Sequence, residues 1–237
     1  MDKKEFSQHT SRRFNQELES IRSKVLGMGG LVEDMLLNAL KALYESDTNL
    51  AESVIKKDQE VNDIELSIDD GCLRILATRA PAAIDLRLIM AVIKTITDIE
   101  RMGDEAAKIA RTAIRLACPD GQEQVKHHEI VTIAEHVQKM VTRSLDAFAR
   151  FDSELAMEVY KSDEIVDHYY ETIYRNSITY MMEDPKTIGR RLNLMWIARS
   201  LERIGDHSKN ICEYVVYTEK GLDIRHADDP MQSSQVS

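Results

Sequence analysis

The chain contains 237 residues, of which 31 are Lys or Arg and 41 are Asp or Glu, so its formal net charge is −10. A nucleic acid, which is itself a polyanion, is therefore not expected as a partner. The hydrophobic fraction of 43% excludes wholesale disorder, and 9 Gly and 4 Pro are too few for a many-turned β-sandwich or β-barrel.

The first two predicted elements are long helices, because apolar residues recur at three- and four-residue steps. The first helix spans about 12–45 and the second about 50–79, with a stop and a new N-cap at 46–49 between them. Three glycines of the first helix allow bending or close packing: Gly27, Gly29 and Gly30.

The third predicted helix begins near Pro81 and ends near Leu116. Proline suits the first turn of a helix, where its missing N–H is not needed. The Cys-Pro-Asp-Gly segment at 118–121 is the clearest boundary in the chain.

After this boundary the sequence repeats itself. The phrase Ile-Glu-Arg-Met-Gly-Asp at 99–104 returns as Leu-Glu-Arg-Ile-Gly-Asp at 201–206, and Asp-Thr-Asn-Leu-Ala at 47–51 returns as Asp-Ser-Glu-Leu-Ala at 152–156. Pro185 opens the sixth helix as Pro81 opens the third. A doubled unit of this kind predicts an all-α fold of two tandem three-helix bundles. We assign the bundles to 1–118 and 122–220, and a mobile tail to 221–237.

Each repeated phrase places Glu and Asp four residues apart, on one face of a helix. Upstream in each half lies a second pair at the same spacing. If the helices carrying these pairs face each other, four oxygen-bearing side chains converge in each bundle, an arrangement that suits hard or borderline cations. The predicted metal ligands are Asp58, Asn62, Glu100 and Asp104 in the first half, and Asp163, Asp167, Glu202 and Asp206 in the second.

The alternative interpretation of these acids is ordinary surface charge, solvated or paired within a helix, as Asp104 with Lys108. Gly103 and Gly205 lie between the acids. Because glycine within a helix costs about 0.5–1 kcal/mol relative to alanine, its recurrence indicates close helix approach or inheritance from the duplicated ancestor. We expect Arg101 and Arg203 to be surface or ion-pair residues, or to hold phosphate beside the acids.

The remaining candidates for chemistry are few. Cys72 and Cys212 lie within helical patterns and are expected to be buried. His207 follows a predicted ligand, but adjacent helical residues point about 100° apart, so shared ligation is not expected. His168 is set aside for the same reason. Trp196, the single Trp, is expected to be a packing residue. No nucleotide-binding motif or catalytic nucleophile motif is found.

The chain carries no pattern of a signal peptide, and its strongest apolar run, 88–93, is too short to cross a bilayer. We therefore expect a cytoplasmic protein that does not itself insert into a membrane.

Several separated phrases resemble the bacterial PhoU family, and the resemblance covers about 14–226. They are the doubled Glu-Arg-x-Gly-Asp phrase, Asp-Leu-Arg at 85–87, Ile-Cys-Glu at 211–213, Glu-Leu-Glu-Ser-Ile-Arg at 17–22 and Tyr-Met-Met-Glu-Asp at 180–184. The resemblance implies two three-helix bundles and a non-enzymatic regulatory protein. Such a protein restrains the phosphate ABC transporter, signals phosphate sufficiency to a sensor histidine kinase of a two-component system, and represses the phosphate-starvation response.

The resemblance also implies association with the inner face of the membrane through these partners, including the ATPase subunit of the transporter; a homodimer is expected too. In some family members a Glu/Asp-x-x-x-Asp motif binds metal clusters. That motif matches Glu100 with Asp104, Glu202 with Asp206, and Asp163 with Asp167, whereas Asn62 departs from it. Iron, manganese, magnesium and zinc are the candidate ions.

Two other functions are considered. One is a metal-binding bundle with storage, redox or hydrolytic activity, and the other is a structural scaffold whose acids are surface charge. Turnover by the purified protein would distinguish the first of these from an adaptor with inert metal.

Overall fold

The computed structural model describes residues 3–79, 81, 83–117, 128–222 and 224. These residues form six α-helices and no strand, which confirms the predicted all-α class. The helices are α1 (Lys3–Glu45), α2 (Thr48–Arg79), α3 (Ala83–Leu116), α4 (His128–Arg150), α5 (Ser153–Glu183) and α6 (Ile188–Lys220). The predicted linker at 118–121 lies outside the described residues.

The two halves begin their second helices with the same local structure. Ser46 and Phe151 have φ values of 54° and 53°, so each ends a helix in the left-handed region. The next residue, Asp47 or Asp152, then caps the following helix: their Oδ1 atoms accept from Leu50 N at 3.0 Å and Leu155 N at 2.9 Å. The duplication read from the sequence is therefore also a duplication of backbone geometry.

The third and sixth helices begin slightly later than predicted, so that both prolines precede their helix. Pro81 precedes α3, which begins at Ala83, and Pro185 begins a short 3₁₀ turn before α6. The side chain of Asp184 caps that turn through the amide of Lys186. Pro185 thus sets the chain direction before the helix, because its fixed φ suits a tight turn as well as a first helical turn.

Each bundle buries the apolar stripe that its periodicity predicts. Val25, Met28, Val32 and Met35 of α1 are all buried, and so are Cys72 and Cys212. Burial raises the pKa of the Cys72 thiol to about 11 and that of the Cys212 thiol further, so neither is a ready nucleophile. After Gly221, which ends α6 with a φ of 71°, Ile224 is also buried. The rest of the predicted tail lies outside the described residues.

The two bundles meet along α3 and α6, which run antiparallel, and along α1 and α4. At the second contact, Gly29 faces Leu145: a Cβ built on Gly29 would lie 2.7 Å from Leu145 Cδ2. Nearby, the Arg22 guanidinium donates to the carbonyl of Ala149 and lies over the ring of Phe151. The close-packing role predicted for the glycines of α1 therefore belongs to Gly29, since Gly27 and Gly30 have open space at their Cβ positions.

No helix among the described residues has the length and apolarity needed to cross a membrane.

Candidate functional site

The predicted acidic residues of the second half come together where α5 faces α6. Asp163 of α5 is buried, and its Oδ2 accepts from Lys209 Nζ of α6 at 2.7 Å. Its Oδ1 is also buried but has no hydrogen-bond partner in the described part of the chain. This oxygen lies 3.5 Å from the Cβ position of Gly205, so the repeated phrase of α6 passes directly over it.

Glu202 occupies a similar position on α6. Its Oε1 accepts from Arg199 at 2.6 Å, while its buried Oε2 is without a partner among the described residues. Burial, followed by repulsion from Asp206, raises the pKa of Glu202 to about 7, although Arg199 opposes the change.

The pKa values of the other two predicted ligands are raised by the same two causes, burial and neighbouring negative charge. Burial, then repulsion from Asp163 and Asp167, raises the pKa of Asp206. Burial, then repulsion from Asp163, raises that of Asp167, which is more exposed. The pKa of Lys209 is raised even though burial lowers it, because the hydrogen bond and charge of Asp163 favour the ammonium. The four carboxylates thus repel one another as one cluster, in agreement with the prediction that the two helices carrying them face each other.

The first-half cluster repeats this arrangement with differences. Burial, then repulsion from Asp104, raises the pKa of Asp58, and Arg111 lies 3.6 Å from the Asp58 carboxylate. The pKa of Glu100 is raised by burial and then by Asp104, Glu65 and Asp58. Glu65 is thus a further carboxylate in this cluster. Asn62 is half-buried one turn after Asp58 and remains a predicted ligand.

The donor chemistry of the second cluster fits a hard cation, because two buried carboxylate oxygens, Asp163 Oδ1 and Glu202 Oε2, have no partner in the described residues. Lys209 and Arg199 supply positive charge to the other oxygen of each carboxylate. Within the described ranges, however, no group of three or more His, Cys, Asp or Glu side chains is arranged to hold a metal ion. Metal binding stays a prediction.

Two of the smaller expectations need correction. A Cβ on Gly103 would meet Val32 and Val61 at 3.5 Å, an ordinary contact, and the nearest atom to that of Gly205 is also at 3.5 Å. Close helix approach therefore does not require glycine at either position. Lys108 pairs with Glu105 at 3.0 Å instead of with Asp104.

The interface between α3 and α6 holds a buried polar network that sequence reasoning missed. Asp98 Oδ1 accepts from His207 Nδ1 at 2.7 Å and from Asn210 Nδ2 at 3.0 Å. Two turns further along α3, buried Glu105 accepts a hydrogen bond from Lys108 of its own helix and forms an ion pair with Arg203 of α6 at 2.8 Å. His207 therefore faces the other bundle, which agrees with its exclusion as a ligand beside Asp206.

The network joins the two halves and accounts for Arg203 as an ion-pair residue, while Arg101 is exposed. The only sequence signal for it was the position of Asp98 and Glu105 within an apolar stripe. His168 is exposed and lies near the ring of Tyr169. Trp196, expected to be a packing residue, is 64% exposed in the bundle.

Comparison with known proteins finds similar proteins over nearly the whole chain. The family model described as "PhoU domain" matches residues 25–113 and 130–215, one match in each bundle. The chain is 50% identical to the phosphate-specific transport system accessory protein PhoU homolog of Pseudomonas aeruginosa over 226 residues, covering 95% of this chain and 93% of the relative. It is 46% identical to the phosphate-specific transport system accessory protein PhoU of Escherichia coli, with coverage of 95% and 93%.

Solved structures agree. The crystal structure of PhoU from Pseudomonas aeruginosa superposes with a TM-score of 0.85 at 51% identity, covering 88% of this chain and 100% of that chain. The phosphate transport system regulatory protein PhoU from Streptococcus pneumoniae gives a TM-score of 0.81 at 31% identity, covering 89% and 98%.

Proposed function

This chain belongs to the PhoU family, and on that premise we propose that it is a non-enzymatic accessory protein of phosphate transport. It restrains the phosphate ABC transporter and signals phosphate sufficiency to a sensor histidine kinase, so that the phosphate-starvation response is repressed. The observation that carries the proposal is the likeness over nearly the whole chain to phosphate-specific transport system accessory proteins, at 50% and 46% identity.

The architecture suits such a role. Two long bundles held together by the Asp98–His207 and Glu105–Arg203 contacts present extended helical faces on which other proteins can dock. The net charge of −10 favours basic partner surfaces and an association rate that falls with salt. The protein acts in the cytoplasm, reaches the inner face of the membrane through the ATPase subunit of the transporter, and works as a homodimer.

The test is genetic. Deletion of the gene should switch on a phosphate-starvation reporter in phosphate-rich medium, and expression of this chain from a plasmid should silence it. Binding of the purified chain to the transporter ATPase subunit and to the kinase, measured with and without phosphate, identifies the direct partner. A deletion strain that still represses the reporter normally would contradict the adaptor role.

We also propose that the second-half cluster binds a divalent or trivalent cation through Asp163, Asp167, Glu202 and Asp206. The support is that two buried carboxylate oxygens have no partner among the described residues, and that burial, followed by mutual repulsion, raises the pKa values of Glu202, Asp206 and Asp167. A bound cation there would offset this repulsion and hold α5 against α6. Asp58, Asn62, Glu100 and Asp104 are the matching proposed ligands in the first bundle.

Metal analysis and thermal unfolding test this. Iron, manganese, magnesium or zinc added to the chelator-treated protein should raise the melting temperature. Replacement of the four second-half residues by Asn or Gln should abolish the part of that rise due to the second bundle. In chelator the same variant should be more stable than the wild type, because the mutual repulsion is gone. Equal responses of wild type and variant to every ion would contradict the site.

A further inference from the structure

The α5–α6 hairpin carries an exposed apolar strip that the packing of the bundle does not use. On each helix three large side chains follow one another at four-residue spacing, and each is at least 38% exposed. The strip consists of Tyr174, Ile178 and Met182 on α5 and Ile188, Leu192 and Trp196 on α6. Large exposed apolar side chains in a contiguous group, rather than scattered singly, are typical of interaction surfaces.

Contacts between the two helices place the two rows side by side. The Arg199 guanidinium lies over the ring of Tyr170, 5.6 Å from its centroid, and Arg191 lies 4.0 Å from the centroid of Tyr180. This antiparallel register brings Trp196 to the height of Tyr174 and Leu192 to the height of Ile178. Two helices with matched apolar rows form a groove of the kind that receives a third helix.

The aromatic members of the strip are found in the second half alone. The sequence repeat has an offset of 105 residues in the second helix of each half and 102 residues in the third. By these offsets, the positions that correspond to Tyr174 and Trp196 are Asp69 and Lys94. Lys94 is engaged with the ring of Tyr214 of α6, with its Nζ 5.4 Å from the centroid. The first half keeps exposed apolar side chains at three corresponding positions, Leu73, Leu86 and Met90, but lacks the two aromatic side chains. Because aromatic residues contribute strongly at protein interfaces, only the second-half strip is equipped as one.

The charges beside the strip indicate the chemistry of its partner. Next to its Tyr174 and Trp196 end lies the acidic cluster, whose basic neighbours are already in use: Arg199 pairs with Glu202, and Lys209 pairs with Asp163. Asp167 and Asp206 have no ion pair within the described residues. A second copy of the chain, which itself carries −10, does not complement this acidic end, so the homodimer proposed above is assigned to another surface. A helix with an apolar face and lysine or arginine beside it matches both the strip and the carboxylates.

We propose that the strip is the docking groove for a basic amphipathic helix of a partner protein. The inference deepens the adaptor role proposed above, for which it supplies a surface. The apolar face of the partner covers Trp196, Leu192 and Ile178, and its basic residues lie at the acidic end of the strip, beside the second-half cluster.

Trp196 is the single Trp of the chain and lies in the strip, so its fluorescence reports occupancy of the groove. The probe is a synthetic peptide of about 18 residues in which Leu and Lys follow a helical pattern, without Trp or Tyr. Its addition to the full chain should shift Trp196 emission to the blue in a saturable manner, and salt should weaken the effect. A Leu and Glu peptide of the same pattern is the charge control.

Ile178→Asp with Leu192→Asp should weaken binding of the Leu and Lys peptide at least about tenfold, because each change places a charge in the apolar contact. The matched control is Leu73→Asp with Met90→Asp, the same change at the corresponding exposed positions of the first half, which should bind the peptide as the wild type does. Far-UV circular dichroism of both variants verifies their helical content.

Three results would overturn the proposal: no shift of Trp196 emission with the peptide, equal binding of the Leu and Glu peptide, or equal weakening by the two double variants. Emission that shifts to the blue with protein concentration alone would also overturn it, by assigning the strip to a second copy. In the deletion strain, the strip variant should fail to silence the reporter, while the control variant succeeds. Silencing by both would refute the groove yet leave the adaptor role standing.

Discussion

The clearest energetic consequence of the carboxylate clusters concerns Glu202. Its side chain is 11% exposed, and its pKa is raised from 4.5 to about 7, chiefly by burial and then by Asp206. Because the folded protein prefers the protonated form, Glu202 favours folding fully below pH 4.5, and this contribution is lost as the pH rises through about 7. One pKa unit corresponds to about 1.4 kcal/mol, so the loss amounts to about 3 kcal/mol.

Glu202→Gln removes this titration while keeping the shape of the side chain and an oxygen that accepts from Arg199. The free energy of unfolding is therefore compared between the variant and the wild type at two pH values. The advantage of the variant over the wild type should be larger at about pH 8 than at about pH 4, by about 3 kcal/mol. Urea unfolding followed by far-UV circular dichroism in chelator measures this difference. Glu164→Gln, at an exposed position of α5, is the control.

The comparison of variants isolates Glu202, because the titrations of all distant groups are common to both proteins. If the stabilities of the wild type and Glu202→Gln changed in parallel across this pH range, the assignment of a raised pKa to a crowded, buried carboxylate would be refuted. If Glu164→Gln showed the same pH response as Glu202→Gln, the assignment of the titration to the buried cluster around Glu202 would be refuted.

Two further predictions concern the packing of the helices. Asp98→Ala removes the acceptor shared by His207 and Asn210 in the bundle interface and should lower the free energy of unfolding by about 2–3 kcal/mol, as measured in urea; an unchanged value would contradict a stabilising network. Gly103→Ala should raise the free energy of unfolding by about 0.5–1 kcal/mol, since the added Cβ meets only ordinary contacts. Gly29→Ala should gain less or lose stability, because its Cβ must displace Leu145. A larger gain at Gly29 than at Gly103 would contradict the close contact of α1 with α4.

Much of the fold was readable from the sequence, because helices are specified locally. The three- and four-residue spacing of apolar side chains fixed which residues of α1 to α6 are buried, and the Asp caps at 47 and 152 marked where the second and fifth helices begin. The repeat at offsets of 102 and 105 predicted two bundles. The same periodicity placed each acidic pair on one helical face, and only a fold with facing helices could bring Asp163 to Glu202 and Asp206.

What periodicity could not supply is the register between helices distant in sequence. Asp98 meets His207 across 109 residues, and this pairing depends on how far α3 slides along α6. The role of Gly29 against Leu145, and the absence of such a need at Gly103, were decided by the same packing. The exposure of Trp196 was decided in the same way, because only the neighbouring helices determine whether a given face of a helix is covered or left to solvent.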